Sequence, residues 1–357
     1  MIVAGMRRRN FLKISAALAP ALSSAHRLRS PEESAGSLTD VGDIRVGHFT
    51  DSRRPTGCTV ILFDRPAVAG VDVRGAAPGT RETDLLQPVN TVQQINAILL
   101  SGGSAFGLDA ASGVMRFLDE HGMGFHVGPI VVPIVPAAIL FDLNVGDPKI
   151  RPDAHSGYAA CQAASSSNVP EGNVGAGAGA TVGKLFGVHS AMKSGLGTAS
   201  IRIGNTGMTV AAIVAVNAAG DVYDHKTGSI LAGARTKDGN AFLNSMALIA
   251  NGAKLGGLPG AHTTIGVVAT NATLSKTEAT KMAQMAHDGL ARTINPVHTP
   301  MDGDTIFAAA TCTNQTKADL TTIGAVAAEV MARAVNRAVI NASGIPGYPA
   351  YRDLQKL

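Results

Sequence analysis

The sequence predicts an α+β chain of strands sandwiched by helices, and three observations carry that expectation. Short β-branched runs bounded by turn residues recur at 57–63, 209–217 and 264–270 and read as buried strands. Stretches with helical spacing follow them, one opened by the capping box Ser275-Lys-Thr-Glu278. No unit repeats along the chain, and with 357 residues, 45% of them apolar, it is long enough to bury one large core or two modest ones. Forty-one glycines against 4% aromatics and no Trp point to a core of small and β-branched side chains with close backbone approaches.

The N-terminus has the layout of an export signal. Met6-Arg-Arg-Arg-Asn-Phe-Leu-Lys13 precedes a mild apolar run from Ile14 to Leu22, and Ser23-Ser24-Ala25 offers small residues for cleavage. The segment Arg8-Arg9-Asn10-Phe11-Leu12-Lys13 is similar to a twin-arginine signal, so residues 1–25 are expected to be removed and the mature chain to work in the periplasm. The apolar run is far short of the ~20 residues of a membrane span, and no membrane partner is expected of the mature form. Polar residues 26–40 read as a flexible leader. The formal charge of +4 includes Arg7, Arg8, Arg9 and Lys13, which leaves the mature chain near neutral. With no basic stripe interleaved with aromatics, nucleic acid is not expected as a partner. Cys58, Cys161 and Cys312 are widely spaced without a Cys-x-x-Cys, allow at most one disulfide, and read as small buried residues.

Folding is expected from Val41 onward. Residues 57–63 read as a buried strand and 68–73 as a further candidate. In 98–122 an apolar run meets Ser101-Gly-Gly-Ser104 and then a helical pattern ending at Gly122. That turn makes the N–H groups of Gly102 and Gly103 candidates for holding an oxyanion or a ligand carboxylate, against the plain reading of a tight packing turn. Two prolines confine 133–142 to an edge strand or an irregular wall. Helical patterns lie at about 154–164 and 239–251. Strand 209–217 ends on Asn217, followed by a turn, and residues 254–262 break all periodicity as an accessible loop just before Thr263. Strand 264–270, the capped helix, strand 305–311 and a terminal helix over 320–342, closed by Gly344, complete the chain.

Several motifs fail on inspection. Gly175-Ala-Gly-Ala-Gly-Ala-Thr-Val-Gly-Lys184 has Ala178 where a phosphate loop needs its first glycine, and Leu185 where it needs Ser or Thr. It also lacks the context of a dinucleotide fingerprint. Ser190-Ala-Met-Lys193 and Lys226-Thr-Gly228 imitate penicillin-binding signatures without the Ser-Asp-Asn between them. The ten histidines form no zinc pattern, and Asp302-Gly303-Asp304 lacks the later acidic ligands of a calcium loop. Neither metal nor other cofactor is expected.

What remains is Thr263 with Asp302 and Asp304, and here the body of the chain resembles a known family. Leu38-Thr-Asp-Val-Gly-Asp-Ile-Arg-Val-Gly-His48, Ser101-Gly-Gly-Ser-Ala-Phe-Gly107, Gly175-Ala-Gly-Ala-Gly179, Lys184, Val216-Asn217, Thr263-Thr-Ile265 and Met301-Asp-Gly-Asp-Thr305 occur in the order seen in the DmpA-type aminopeptidases and amidases. Within that group the nylon-oligomer hydrolases are similar at the Thr-Thr-Ile and Met-Asp-Gly-Asp-Thr motifs. The resemblance spans about 38–342. It implies an αββα sandwich of the N-terminal-nucleophile hydrolase type, also found in ornithine acetyltransferases. It further implies self-cleavage between His262 and Thr263 into a large chain, 41–262, and a small chain, 263–357, which assemble into homo-oligomers of processed units. Thr263 would be the nucleophile, with Lys184, Asn217, Asp302 and Asp304 around it.

The chemistry is consistent with these residue types. A threonine hydroxyl is a weak nucleophile, but its own α-amine, once freed and with a pKa of ~7.7–8.0 in model peptides, serves as general base near neutral pH. Asp302 and Asp304, two apart, would face one side of an extended segment and hold the ammonium and hydroxyl of Thr263. Lys184 would balance them, and Asn217 at a strand end would donate its amide to an oxyanion. Two positions depart from the family: His262 stands where Asn or Gly usually precedes the scissile bond, and Phe141 stands where the nylon-hydrolase branch carries Tyr near the substrate pocket. The expected activity is hydrolysis of amide bonds in short peptides or amides with a free amine. The alternatives are acyl transfer to an amine, and an uncleaved binding protein of the same fold, to which His262 lends its support.

Overall fold

The computed structural model describes residues 36–239, 241–256, 260–316 and 319–354. The export segment and residues 26–35 of the leader lie outside these. The end of the expected leader belongs to the packed body. Leu38–Val41 form a tight turn in which Leu38 is fully buried, and the Leu38 N–H donates to Thr198 Oγ1 at 2.9 Å. Ser37 and Asp40 close this turn, so an apolar residue flanked by capping groups anchors a stretch whose bulk composition reads as loose.

Nine strands form one hydrogen-bonded sheet, eight of them along a single path. In chain order they are β1 (Ile44–Thr50), β2 (Gly57–Val73), β3 (Thr80–Arg81), β4 (Gln94–Ser101), β5 (Ala137–Ile139), β6 (Leu196–Arg202), β7 (Thr209–Asn217), β8 (Thr263–Ala272) and β9 (Thr305–Asn314). The path runs β6-β7-β8-β9-β2-β4-β5-β3, with β1 beside β2. Four longer helices cover it: α1 (Ala110–Glu120), α2 (Ala154–Gln162), α3 (Lys276–Thr293) and α4 (Leu320–Ile340).

The path folds on itself at β2, and that fold makes the sandwich. Residues 57–63 of β2 pair with β1 and β4, whereas 68–73 pair with β9, and the register slips between Leu62 and Ala67 around exposed Asp64, Arg65 and Pro66. The two sequence runs at 57–63 and 68–73 are therefore one strand, bent by a bulge at its proline. The inward side chains of both halves meet in one core: Ile61 and Phe63 of β2, Ile98 and Leu100 of β4, Ile213 of β7, Ile265 and Val267 of β8, and Phe307 of β9. The opposite, outward residues pack on helices. Val210, Val214, Val268 and Ile306 meet α3 and α4, and Val60, Leu62 and Leu99 meet α1 and α2. The result is α-β-β-α, produced by strict two-residue alternation in strands buried on both faces.

Other expectations change in detail. Residues 137–139 sit inside the path between β4 and β3, because only a short piece after Pro136 pairs. The helix read over 239–251 contracts to Ser245–Ala250, capped by the Asn244 side chain. Helix α4 stops at Ile340 with Asn341 as its cap, three residues before Gly344. The capping box of α3 forms as read, with Glu278 Oε2 accepting from the Ser275 N–H at 2.8 Å. No helix among the described residues is long and apolar enough to cross a membrane.

The topology gathers the site. β8 and β9 run parallel, connected through α3, so both begin at the same end of the sheet, and antiparallel β7 ends there. Asn217 consequently pairs with Thr263, and Thr305 with Ile265. Ile213 sits at the middle of the inner face with none of its surface exposed. Its replacement by Ala is expected to lower the unfolding free energy by about 2–5 kcal/mol, read from denaturant midpoints; a loss below 1 kcal/mol would contradict the shared core.

Candidate active site

Thr263 opens β8 and is 2% exposed. The peptide before it is buried too: Ala261 and His262 are 7% and 2% exposed. The segment expected as an accessible loop is thus buried where it reaches Thr263, because it already follows the sheet there. His262 forms a bridge with Asp302, and its carbonyl accepts the Gly303 N–H at 2.9 Å. The Thr263 hydroxyl lies 2.5 Å from the same carbonyl oxygen. The bond between His262 and Thr263 therefore has a hydroxyl beside its carbonyl and a backbone donor on its oxygen.

Lys184 reaches this point from the glycine-rich segment. The side chain is 1% exposed, and Nζ donates to Asn217 Oδ1 at 2.8 Å, the Asn217 carbonyl at 3.0 Å and the Ala261 carbonyl at 3.3 Å. It ties the end of β7 to the chain approaching Thr263. Burial pulls its pKa down to about 7, against the opposing pull of Asp302 and Asp142. Burial, followed by the nearness of Lys184, lowers His262 to about 3, and neither ring nitrogen of this neutral imidazole has a hydrogen-bond partner.

Asn217 has a defined orientation. Its Oδ1 accepts from Lys184 and from the Thr181 N–H at 3.0 Å, and its Nδ2 donates to the Phe141 carbonyl at 2.9 Å. The acceptor side is occupied, and one of the two Nδ2 hydrogens is spent.

The acidic pair is placed differently from the expectation. Asp304 Oδ1 accepts the Thr264 N–H at 2.7 Å, and its Oδ2 accepts from the His298 ring at 2.8 Å and the His298 N–H at 3.2 Å. Asp302 Oδ2 accepts from the Thr299 N–H and hydroxyl at 2.8 and 2.5 Å. Asp304 thus braces the backbone just after Thr263 and Asp302 braces Thr299, while the Thr263 hydroxyl turns to the His262 carbonyl instead. A turn at 299–302, in which the Asp302 N–H donates to the Thr299 carbonyl at 3.0 Å, brings Thr299 back onto the Asp302 carboxylate. Burial first, and the neighbouring Asp304 second, raise the pKa of Asp302.

The loop after β2 clamps the acidic segment. The N–H groups of Arg74 and Gly75 donate to the Asp304 carbonyl, and that of Ala77 donates to the Asp302 carbonyl at 2.8 Å. The approach is tight enough to require glycine. A Cβ on Gly303 would fall 2.5 Å from the Ala77 oxygen and 2.8 Å from Thr263 Oγ1.

Gly102 and Gly103 are not free donors. The Gly102 N–H is taken by the Gly57 carbonyl and the Gly103 N–H by Asp142 Oδ1, each at 2.9 Å. The turn serves packing, and its anion is an internal carboxylate. Asp142 is also bound by Arg54 and by the Thr56 hydroxyl, each at 2.7 Å, inside the protein. Phe141 enters the site through its backbone carbonyl, fixed next to this buried ion pair. Sequence reasoning missed the Gly303 N–H, Thr181 and His298. The first two act through main chain, which residue type does not advertise, whereas His298 stands in the motif-bearing run itself. Cys58 and Cys161 are buried and Cys312 is half-buried, all with free thiols.

Comparison with known proteins decides the family. The model of peptidase family S58 matches residues 36–352. The chain belongs to peptidase family S58. It is 44% identical over 344 residues to an uncharacterized aminopeptidase of Mycobacterium tuberculosis strain H37Rv, covering 89% of this chain and 97% of that one. It is 29% identical over 329 residues to a 6-aminohexanoate-oligomer endohydrolase of Kocuria, covering 85% and 87%. Among solved structures, the L-aminopeptidase D-Ala-esterase/amidase of Ochrobactrum anthropi, described as a variant of the Ntn hydrolase fold, superposes with a TM-score of 0.66 at 19% identity, covering 90% and 92%. A Burkholderia β-aminopeptidase gives 0.65 at 20% identity, covering 89% and 90%. As a member of S58 with this Ntn-type fold, the chain is a hydrolase of the aminopeptidase and amidase class.

Lys184 gives a signed pH dependence. The unfolded chain, with lysine at its ordinary 10.5, binds more protons than the folded one between pH 7 and 10.5, so this residue adds stability as pH rises through that window. The stability difference between wild type and Lys184→Met should therefore shift in favour of wild type from pH 7 to pH 10. A difference in denaturant midpoints that does not change with pH would refute the lowered pKa.

Proposed function

We propose that this S58 hydrolase cleaves itself between His262 and Thr263 and then uses Thr263 as an N-terminal nucleophile on amide bonds of short peptides or amides. The observation that carries this reading is the Thr263 hydroxyl beside the His262 carbonyl, whose oxygen is already held by the Gly303 N–H. Attack of Oγ on the carbonyl carbon forms a tetrahedral oxyanion facing that donor. Breaking the C–N bond passes a proton to the Thr263 nitrogen and leaves an ester. Water then hydrolyses the ester and frees the amine and hydroxyl of Thr263.

In the mature enzyme the freed α-amine takes the hydroxyl proton as Oγ attacks the substrate carbonyl. The leaving amine departs protonated, and water resolves the acyl-enzyme. The Gly303 N–H and the second Nδ2 hydrogen of Asn217 are the candidate oxyanion donors. Lys184, its pKa lowered to about 7 and so about half protonated at pH 7, orients Asn217, and Asp302 and Asp304 hold the backbone that carries Thr263 in place. Substrates with a free amine fit this acidic neighbourhood and the aminopeptidase names of the relatives. Export through residues 1–25 is part of the proposal, resting on their order of basic, apolar and small residues. So is assembly of processed units into a homo-oligomer. The exposed apolar side chains of the hairpin Phe125–Val127 and Ile130–Val132 support it.

Purified wild-type protein should resolve on a denaturing gel into two pieces, the smaller being residues 263–357, while Thr263→Ala runs as one. A wild-type chain that stays whole and turns over no alanine p-nitroanilide would sink the reading, and acyl transfer in place of hydrolysis would appear as a new amide when a free amine is added. Gly303→Ala crowds both Oγ1 and the Ala77 carbonyl, and should slow self-cleavage by about 10²-fold, the scale for losing one oxyanion donor. Maturation at the wild-type rate in that variant would remove Gly303 from the mechanism.

A further inference from the structure

The motif-bearing segment contains one side chain that the proposed chemistry does not use. His298 sits six residues before Asp304, and Nδ1 of its ring lies 2.8 Å from Asp304 Oδ2. Its own backbone N–H points to the same oxygen at 3.2 Å. The residue is held at φ 56°, a left-handed conformation that non-glycine residues seldom adopt, and this conformation is what lets ring and main chain converge on one carboxylate oxygen. Because a carboxylate only accepts, Nδ1 carries the hydrogen. The Nε2 atom is buried without a partner, so the ring has one polar contact, and that contact is Asp304.

The ring is braced from behind. His287 meets it edge-on with ring centres 4.8 Å apart. His287 is itself fully buried on α3, and its Nε2 lies 3.0 Å from the Asp72 carbonyl of β2. Burial lowers its pKa to about 4, so it is neutral at pH 7 and donates to that carbonyl. A rigid line therefore runs from β2 and α3 through two imidazoles to the carboxylate whose other oxygen takes the Thr264 N–H at 2.7 Å.

We propose that His298 is a positioning residue: its Nδ1–H fixes the Asp304 carboxylate so that the opposite oxygen pins the Thr264 N–H, and this sets where Thr263, one residue earlier, stands against the scissile carbonyl. The proposal rests on the reading of Thr263 as nucleophile for its effect on rate, but its geometric half is independent of that reading.

The test uses the full chain with His298→Ala, His298→Asn and His298→Gln. The Asn amide nitrogen falls where Nδ1 stands, and the Gln amide reaches the Nε2 position instead. His298→Ala and His298→Gln should mature at least about tenfold more slowly than wild type, as expected for loss of a hydrogen bond to a charged group. His298→Asn should remain within about threefold of wild type. In the uncleavable Thr263→Ala background, hydrogen–deuterium exchange of the peptide 263–267 should be faster with His298→Ala or His298→Gln and unchanged with His298→Asn. Unchanged exchange in the Ala and Gln variants overturns the proposal, and so does an Asn variant that behaves like Ala. If Ala fails to fold by circular dichroism, the Asn and Gln pair decides alone. A wild-type chain that never matures defeats the hydrolase reading, while the exchange experiment still decides the role of His298.

Discussion

The contact on which the site depends is the buried lysine at the end of β7. Lys184 Nζ gathers three oxygens, two from Asn217 and one from Ala261, and so joins the last residue of one strand to the chain entering the next. It acts beside the main-chain contacts of the same approach, where the His262 carbonyl takes the Gly303 N–H and the Gly260 N–H donates to the Met301 carbonyl. An amine in this position is costly to keep charged, and the protein meets the cost by lowering its pKa and surrounding it with acceptors. Lys193, equally buried and lowered to about 7, repeats the device beneath the glycine-rich segment, where it binds the carbonyls of Gly177, Ala180 and Ser194. Two buried amines thus secure a stretch that has few side chains of its own to pack.

Much of this was legible in the chain. The strand 209–217 was readable to the residue because every position in it is buried and β-branched or small, and the Ser275 and Glu278 cap is a purely local signal. The family motifs located Thr263, Asn217, Lys184, Asp302 and Asp304, and the structure brings all five together. What remained illegible was partnership. Asp302 and Asp304 look like catalytic acids in a line of letters, yet their hydrogen bonds go to Thr299, Thr264 and His298, and the main chain that carries them is clamped by the loop at 74–77, more than two hundred residues earlier. Gly102 and Gly103 misled for the same reason: an N–H in a glycine turn advertises itself, while the Asp142 carboxylate that claims it comes from a distant segment. The single strand β2 read as two because Asp64, Arg65 and Pro66 interrupt its alternation, and only its two sets of pairing partners reveal that it continues.

A second device repeats the logic of internal satisfaction at the opposite wall of the site. Arg54 spends its guanidinium on the Asp142 carboxylate and on the carbonyls of Asp142, Val145 and Ile150. This pair is wholly buried, and breaking it would strand a charge in the interior. Its effect at the site is indirect. By fixing Asp142 it fixes the preceding peptide, whose Phe141 carbonyl orients Asn217, so a buried ion pair sets the direction of the amide at the end of β7.

The seam between β7 and β8 has a meaning for assembly. A cut before Thr263 would leave the two pieces zipped along that seam from Asn217 and Thr263 to Val210 and Thr270, and again along β9 and β2. The smaller piece would supply the two parallel strands at the heart of one layer, together with the helices that cover them, and the larger piece the strands on either side. Neither could close a core by itself. The two products would then be halves of one fold rather than two proteins in contact, and parting them would amount to unfolding both.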